Sequence, residues 1–332
     1  MLFEFDADQR LWQETVRDVV AKRCPPTVVR DVVDHGADPA PVWQAYVEHG
    51  WTELTDPANA VELAIVLEEL GRATDPTPYL ATMTHFAPLA PEFVRPATAG
   101  TAVFGGVLAR REGTGWRLDG TARHVLDGDR AEQLAVATAA GVFVVPADAV
   151  TTTRTEILDP VAHLAEVSFV NVRVRDADRT AASVREARRA ALTGLALTTV
   201  GACRRILDLV LEHVRTREQF GVPIGAFQAV KHKAADMHVA IERARALAYY
   251  AALTIAERDP GRELAAVMAK AAAGECQALV FRHGVQLFGA MGFTWENDVQ
   301  FALKRAKFGE LLLGGAATHR AQIAEEYRAA RL

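Results

Sequence analysis

Arginine, glutamine, phenylalanine and glycine meet in one short stretch of this chain, Arg217-Glu218-Gln219-Phe220-Gly221-Val222-Pro223-Ile224, with Phe227 and Gln228 close behind. A guanidinium offers two parallel charged donors and a glycine turn exposes backbone N–H groups, so the combination suits a phosphate or pyrophosphate. Phe220 adds a face for an aromatic ring. The same residues also serve a structural purpose, with Arg217 as the favourable charge at a helix C-terminus and Phe220 as core. A second glycine-rich stretch lies downstream, Gln286-Leu287-Phe288-Gly289-Ala290-Met291-Gly292-Phe293-Thr294-Trp295. His232 and His238 are six apart, which is not the three- or four-residue spacing that puts two imidazoles on one helix face, so no metal site is expected.

These groups must be positioned by a chain of 332 residues, 50% hydrophobic and 24% charged, long enough for two or three domains at about 150 residues each. From Asp6 to about Thr84 the pattern is helical. Asp6 is a candidate N-cap, and Leu11, Trp12, Val16, Val19 and Val20 recur at helical spacing. A second stripe in AVELAIVLEELGR is expected to end at Gly71, a residue suited to the left-handed helix stop. Between Thr101 and Arg175 short Val- and Phe-rich runs, punctuated by Gly, Asp and Pro, predict a small antiparallel β domain. After Asp178 the apolar spacing predicts four long helices, with breaks at Gly221–Gly225, Asp259–Gly261 and Gly289–Gly292. Phe227, Val230, Ala234, Met237, Ile241, Ala244 and Ala248 form a seam suited to antiparallel helix packing. The fold class expected is α+β, mainly α: an N-terminal helical domain (1–98), a reduced β domain (99–178) and a C-terminal four-helix bundle (179–332).

Lys+Arg 37 against Asp+Glu 42 leaves a net charge of −5 without a long basic block, so nucleic acid is not an expected partner. Cys24, Cys203 and Cys276 are too scattered for a disulfide framework, which fits a reducing cytoplasm. The start, MLFEFDADQR, carries acids where a secretory signal needs basic then apolar residues, and no single apolar run approaches the roughly 18 residues of a membrane span. A cytoplasmic protein without a membrane partner is expected.

With the helix–sheet–helix order and AIVLEELGR, the two glycine-turn motifs resemble the acyl-CoA dehydrogenase family over nearly the whole chain, most strongly from Ala187 to Arg320. Within that family the chain is similar to the short subunits of heteromeric (α2β2) actinobacterial dehydrogenases of the steroid side-chain type. The resemblance implies FAD, held across a subunit interface. Arg217, Gln219, Phe220, Gln228, Gln286 and Gly289 would serve its pyrophosphate and adenine end. Ala290 departs from the family's usual second glycine.

The family's catalytic base is a glutamate after an arginine–alanine–lysine helix. In Lys304-Arg305-Ala306-Lys307-Phe308-Gly309-Glu310-Leu311-Leu312-Leu313-Gly314-Gly315 that position falls on Leu313. The alternative base position falls on Ala191, followed by Leu192. Neither side chain accepts a proton. Glu310, three residues before Leu313, is a further candidate acid, and equally an ion-paired helix residue beside Arg305 or Lys307. The flavin-ring motifs of the β domain have no match, and His124-Val125-Leu126-Asp127-Gly128 stands where one should be. The resemblance therefore implies a subunit without its own base, dependent on a second acyl-CoA dehydrogenase subunit carrying the glutamate, with an acyl-CoA substrate and an electron-transferring flavoprotein as acceptor. Two alternatives stay open: a homomeric dehydrogenase using Glu310, and a non-enzymatic scaffold.

Overall fold

In the computed structural model, which describes residues 4–329, Asp6 starts the first helix. Its carboxylate accepts the Gln9 backbone N–H at 2.8 Å while the Gln9 side chain returns to the Asp6 N–H. The helices before the sheet are α1 (Ala7–Arg23), α2 (Pro26–His35), α3 (Ala40–Glu48), α4 (Ala60–Ala73) and the short α5 (Tyr79–Ala81), which runs into a π turn over Thr82–Phe86. The strands are β1 (Gly100–Val103), β2 (Val107–Glu112), β3 (Gly115–Leu126), β4 (Gln133–Thr138), β5 (Gly141–Pro146), β6 (Thr151–Thr155), β7 (Leu164–Arg175) and β8 (Arg179–Thr180). Then come α6 (Val184–Thr216), the hairpin β9 (Glu218–Gln219) and β10 (Val222–Pro223), α7 (Gln228–Ala256), α8 (Arg262–Phe288), α9 (Val299–Leu311) and α10 (Ala316–Ala329).

By compactness, residues 4–37, 57–75 and 192–329 form one unit, and residues 38–56 and 76–191 form another. In the first unit α8 packs against α7, α9 and α10, and α4 against α1 and α7. Met237, Ile241, Ala244 and Ala248 form the buried part of the α7 seam, whereas Phe227 at its start is exposed. The α4 stripe does not stop at Gly71. The helix continues to Ala73 and Thr74 takes the left-handed cap at φ 58°. Gly71 instead permits a helix crossing: a Cβ there would overlap the Thr198 carbonyl of α6, and one at Gly201 would overlap the Glu68 carbonyl of α4. The fourth long segment is likewise two helices, α9 and α10, broken at Leu313 and Gly314, whose φ values are 58° and 106°.

Among the described residues one stretch, Arg262–Phe293, is long and apolar enough to cross a membrane, contrary to the expectation that no apolar run approaches that length. Its alanines account for the hydropathy. The most apolar window is 67% buried within the chain, as a helix surrounded by others must be.

In the second unit two four-stranded sheets run in the orders β1-β4-β5-β8 and β2-β3-β7-β6. The pairing is antiparallel except for β1 and β4, which run parallel because the β2–β3 hairpin between them belongs to the other sheet. Leu118, Leu134, Val136, Phe143, Val145, Val167 and Phe169 form its apolar core.

Candidate functional site

The Arg217 motif folds as a hairpin immediately after α6. Gln219 pairs with Val222 and Glu218 with Pro223, which leaves Phe220 (φ 56°) and Gly221 (φ 80°) as a two-residue turn. Two successive left-handed residues match the twist of a tight hairpin. Glycine adopts that backbone freely, but phenylalanine does so at a cost of about 1–2 kcal/mol. The consequence is a ring held outward, 92% exposed, with Phe227 edge-on at 6.1 Å. Phe220 is therefore a surface residue, and the core reading of it is excluded.

The Arg217 backbone is closed on both sides, its N–H donating to the His213 carbonyl at 2.9 Å and its own carbonyl accepting from the Ile224 N–H at 2.8 Å. Its guanidinium is exposed and forms no ion pair among the described residues. Gln219 donates its amide to the Glu218 carbonyl at 2.8 Å. Gln228 opens α7 and Gln286 lies on α8, both exposed, and Gly289 (φ 62°) ends α8. The two motifs meet through His213 and Phe288, whose rings stack at 4.7 Å. Burial, with the Arg217 charge second, holds the His213 imidazole below its ordinary pKa. Met291 and Phe293 extend the exposed apolar surface beyond Gly289. Trp295, also partly exposed, is tied to α2, its indole N–H donating to Asp34 at 2.9 Å.

The break between α9 and α10 holds Leu313, where the family resemblance leads one to expect a catalytic base. Lys270, 1% exposed on α8, donates Nζ to the carbonyls of Glu310 and Gly314, each at 2.8 Å. Burial lowers the Lys270 pKa to about 8, opposed by the Glu310 charge. Leu313 packs against an apolar cluster of Leu192, Ala266 and Val267. Ala191 precedes Leu192 on α6 and is fully buried. Leu313 itself is half-buried, with apolar neighbours on its packed side. Glu310 is engaged elsewhere: its carboxylate pairs with Lys307 at 2.8 Å and accepts the first N–H of α10, from Ala316, at 3.4 Å.

His124 (φ 56°) occupies a bulge in β3 between Ala122 and Val125, exposed. The turn after it is locked from within. Buried Asp127 binds Arg130 at 2.6 Å, and Arg130 reaches the Pro76 carbonyl. Burial pushes the Asp127 carboxyl up, against the Arg130 charge. Sequence reading missed both this lock and Lys270. The signal for Lys270 was present, a lone lysine in the otherwise apolar stretch from Leu264 to Gly274 of α8.

The chain matches the family models for the acyl-CoA dehydrogenase N-terminal domain over residues 6–93 and the acyl-CoA dehydrogenase C-terminal domain over residues 189–327. It is 30% identical over 325 residues to acyl-CoA dehydrogenase IpdE2 of Mycolicibacterium smegmatis, covering 92% of this chain and 94% of that one. The chain belongs to the acyl-CoA dehydrogenase family. Solved structures share its fold: the ChsE4–ChsE5 complex from Mycobacterium tuberculosis aligns with a TM-score of 0.89 at 24% identity, covering 99% of each chain. The Tcur3481–Tcur3483 steroid ACAD aligns with a TM-score of 0.84 at 24% identity, covering 98% of each. The expected architecture of helical N- and C-terminal parts around a small β domain is that of the family.

Proposed function

We propose that this chain is the companion subunit of a heteromeric FAD-dependent acyl-CoA dehydrogenase, without a base of its own, and that its substrate complex carries a steroid side-chain thioester. The reading rests above all on Leu313, a hydrocarbon side chain among Leu192, Ala266 and Val267 at the position the family gives its proton acceptor. Family membership supports the oxidoreductase chemistry. The names of the ChsE4–ChsE5 complex and of the Tcur3481–Tcur3483 steroid ACAD support a two-chain assembly and a steroid-type substrate.

Dehydrogenation of an acyl-CoA thioester needs a carboxylate to take the proton alpha to the carbonyl and an acceptor for the beta hydride. FAD, when bound, supplies the hydride-accepting chemistry. The residues of this chain fit its other end. Arg217 brings an un-neutralised charge suited to pyrophosphate, Phe220 and Phe227 give an aromatic ledge for adenine, and Gln219, Gln228 and Gln286 offer amides around the Gly289 turn. The partner subunit supplies the glutamate and the contacts to the flavin ring. An electron-transferring flavoprotein takes the electrons, in the cytoplasm, where the buried free thiols Cys24, Cys203 and Cys276 stay reduced.

Co-expression with the partner chain, followed by a count of flavin per subunit, tests this. The expected result is an active complex with one FAD per pair of unlike chains, losing flavin on Arg217→Ala. A yellow, active homo-oligomer of this chain, inactivated by Glu310→Gln, would establish the homomeric alternative. A complex whose flavin content ignores Arg217→Ala would establish the scaffold.

A further inference from the structure

A cavity of about 330 Å³ opens between the end of α1, the start of α2, the end of α4 and the start of α9, away from the residues assigned above. That volume lies in the range of small-molecule sites. Its apolar wall includes Val20, Val29 and Phe301. The charged groups on its lining are neutralised within the chain with one exception. Arg17 pairs with Glu69 at 2.7 Å, Arg72 with Asp208 at 2.7 Å, and Asp298 receives Arg30. Arg205 also lines the cavity, from α6, and among the described residues it forms no ion pair or hydrogen bond with a neighbour.

A guanidinium without a counter-charge, set beside an apolar wall, selects a ligand with the complementary arrangement. An anionic head gains a charge-assisted, bidentate contact, and a hydrocarbon body displaces water from Val20, Val29 and Phe301. Among the described lining residues a dianion meets one un-neutralised cation, because Arg17 and Arg72 already hold carboxylates. A neutral apolar molecule leaves Arg205 uncompensated. We infer that this cavity is a binding site for a small monocarboxylate with an aliphatic body, its carboxylate on Arg205 and its chain against Val20, Val29 and Phe301.

Calorimetric titration of the full chain with octanoate, and separately with 1-octanol as the neutral isostere, tests the site without reference to flavin or turnover. Octanoate is expected to bind saturably, one per chain, and at least tenfold more tightly than 1-octanol. Arg205→Gln should erase that difference through the charged head. Ala21→Trp, an exposed lining position that a large ring would fill, should abolish binding of both. Circular dichroism on both variants checks that the fold is kept. No saturable heat with octanoate, or an octanoate affinity unchanged by both substitutions, overturns the inference. The second result would mean that octanoate occupies another part of the chain.

Discussion

His213 and Phe288 stack with ring centroids 4.7 Å apart and planes 21° from parallel, which ties the end of α6 to the end of α8. One ring stands a turn before Arg217 and the other immediately before Gly289. The contact therefore holds together the two motifs proposed above to bind the nucleotide. Stacked pairs contribute about 0.5–1.5 kcal/mol beyond burial. His213→Ala should leave the chain folded and weaken FAD retention by the complex several-fold, read as flavin released on dilution. Because burial and Arg217 hold His213 below its ordinary pKa, its contribution is present at neutral pH and is lost as pH falls through the lowered pKa. Flavin release on acidification should accordingly be steeper in the wild-type complex than in His213→Phe.

Lys270 fixes the loop that carries Leu313. Its folded pKa of about 8 lies below the ordinary 10.5, so the unfolded chain binds the extra proton between these values. Stability therefore rises as pH increases from about 8 to 10.5 and is lost as pH falls back through that range. The difference between 8 and 10.5 corresponds to roughly 3–4 kcal/mol. Chemical denaturation across this range should show the rise, and Lys270→Met should flatten it. The same variant loses two hydrogen bonds to carbonyls and should be destabilised by roughly 1–3 kcal/mol at pH 7.

His85 belongs to the other compact unit, in the π turn after α5, and burial drives its pKa to about 4. Its Nδ1 lies 2.9 Å from the Thr84 hydroxyl, while Nε2 is buried without a partner. The folded pKa is depressed, so the stabilisation is present above pH 6.5 and is lost as pH falls toward 4. His85→Leu should remove most of that acid sensitivity and leave stability at pH 7 equal or higher, since an unpaired buried nitrogen is costly. Urea melts at pH 7 and pH 5 separate the outcomes.

Gly201→Ala should be severe for so small a change. The added methyl meets the Glu68 carbonyl of α4, which is backbone and cannot swing away. Overpacking of this kind costs about 1–3 kcal/mol or more. An exposed alanine substitution such as Gly221→Ala meets nothing in space and is penalised only by its φ of 80°. The two midpoints in denaturant should differ, with Gly201→Ala the lower.

Elements whose signal is local were legible in the sequence. The Asp6 cap, the α7 seam from Met237 to Ala248 and the turn at Gly221 are recorded in the residue pattern, although the short β pairing that flanks that turn was not read from it. Gly71 misled because a glycine at a helix crossing and a glycine at a helix end look alike until the partner, Thr198, is known. The parallel pairing of β1 with β4 was hidden for the same reason, being decided by which sheet the β2–β3 hairpin joins. At the site, the motif named Arg217 and Leu313. What it could not show was the stack between residues 213 and 288, or a lysine on α8 holding two carbonyls of a loop some 40 positions away.

Phe220 and Phe293, 92% and 78% exposed, have a colloidal consequence for the isolated polypeptide. Salting-out agents raise the free energy of wetted phenyl rings. If the proposed assembly covers these rings, the chain on its own should precipitate at lower ammonium sulfate than it does with its partner, and it should be retained longer on a phenyl resin. Substituting both rings with serine would bring the two solubility curves together.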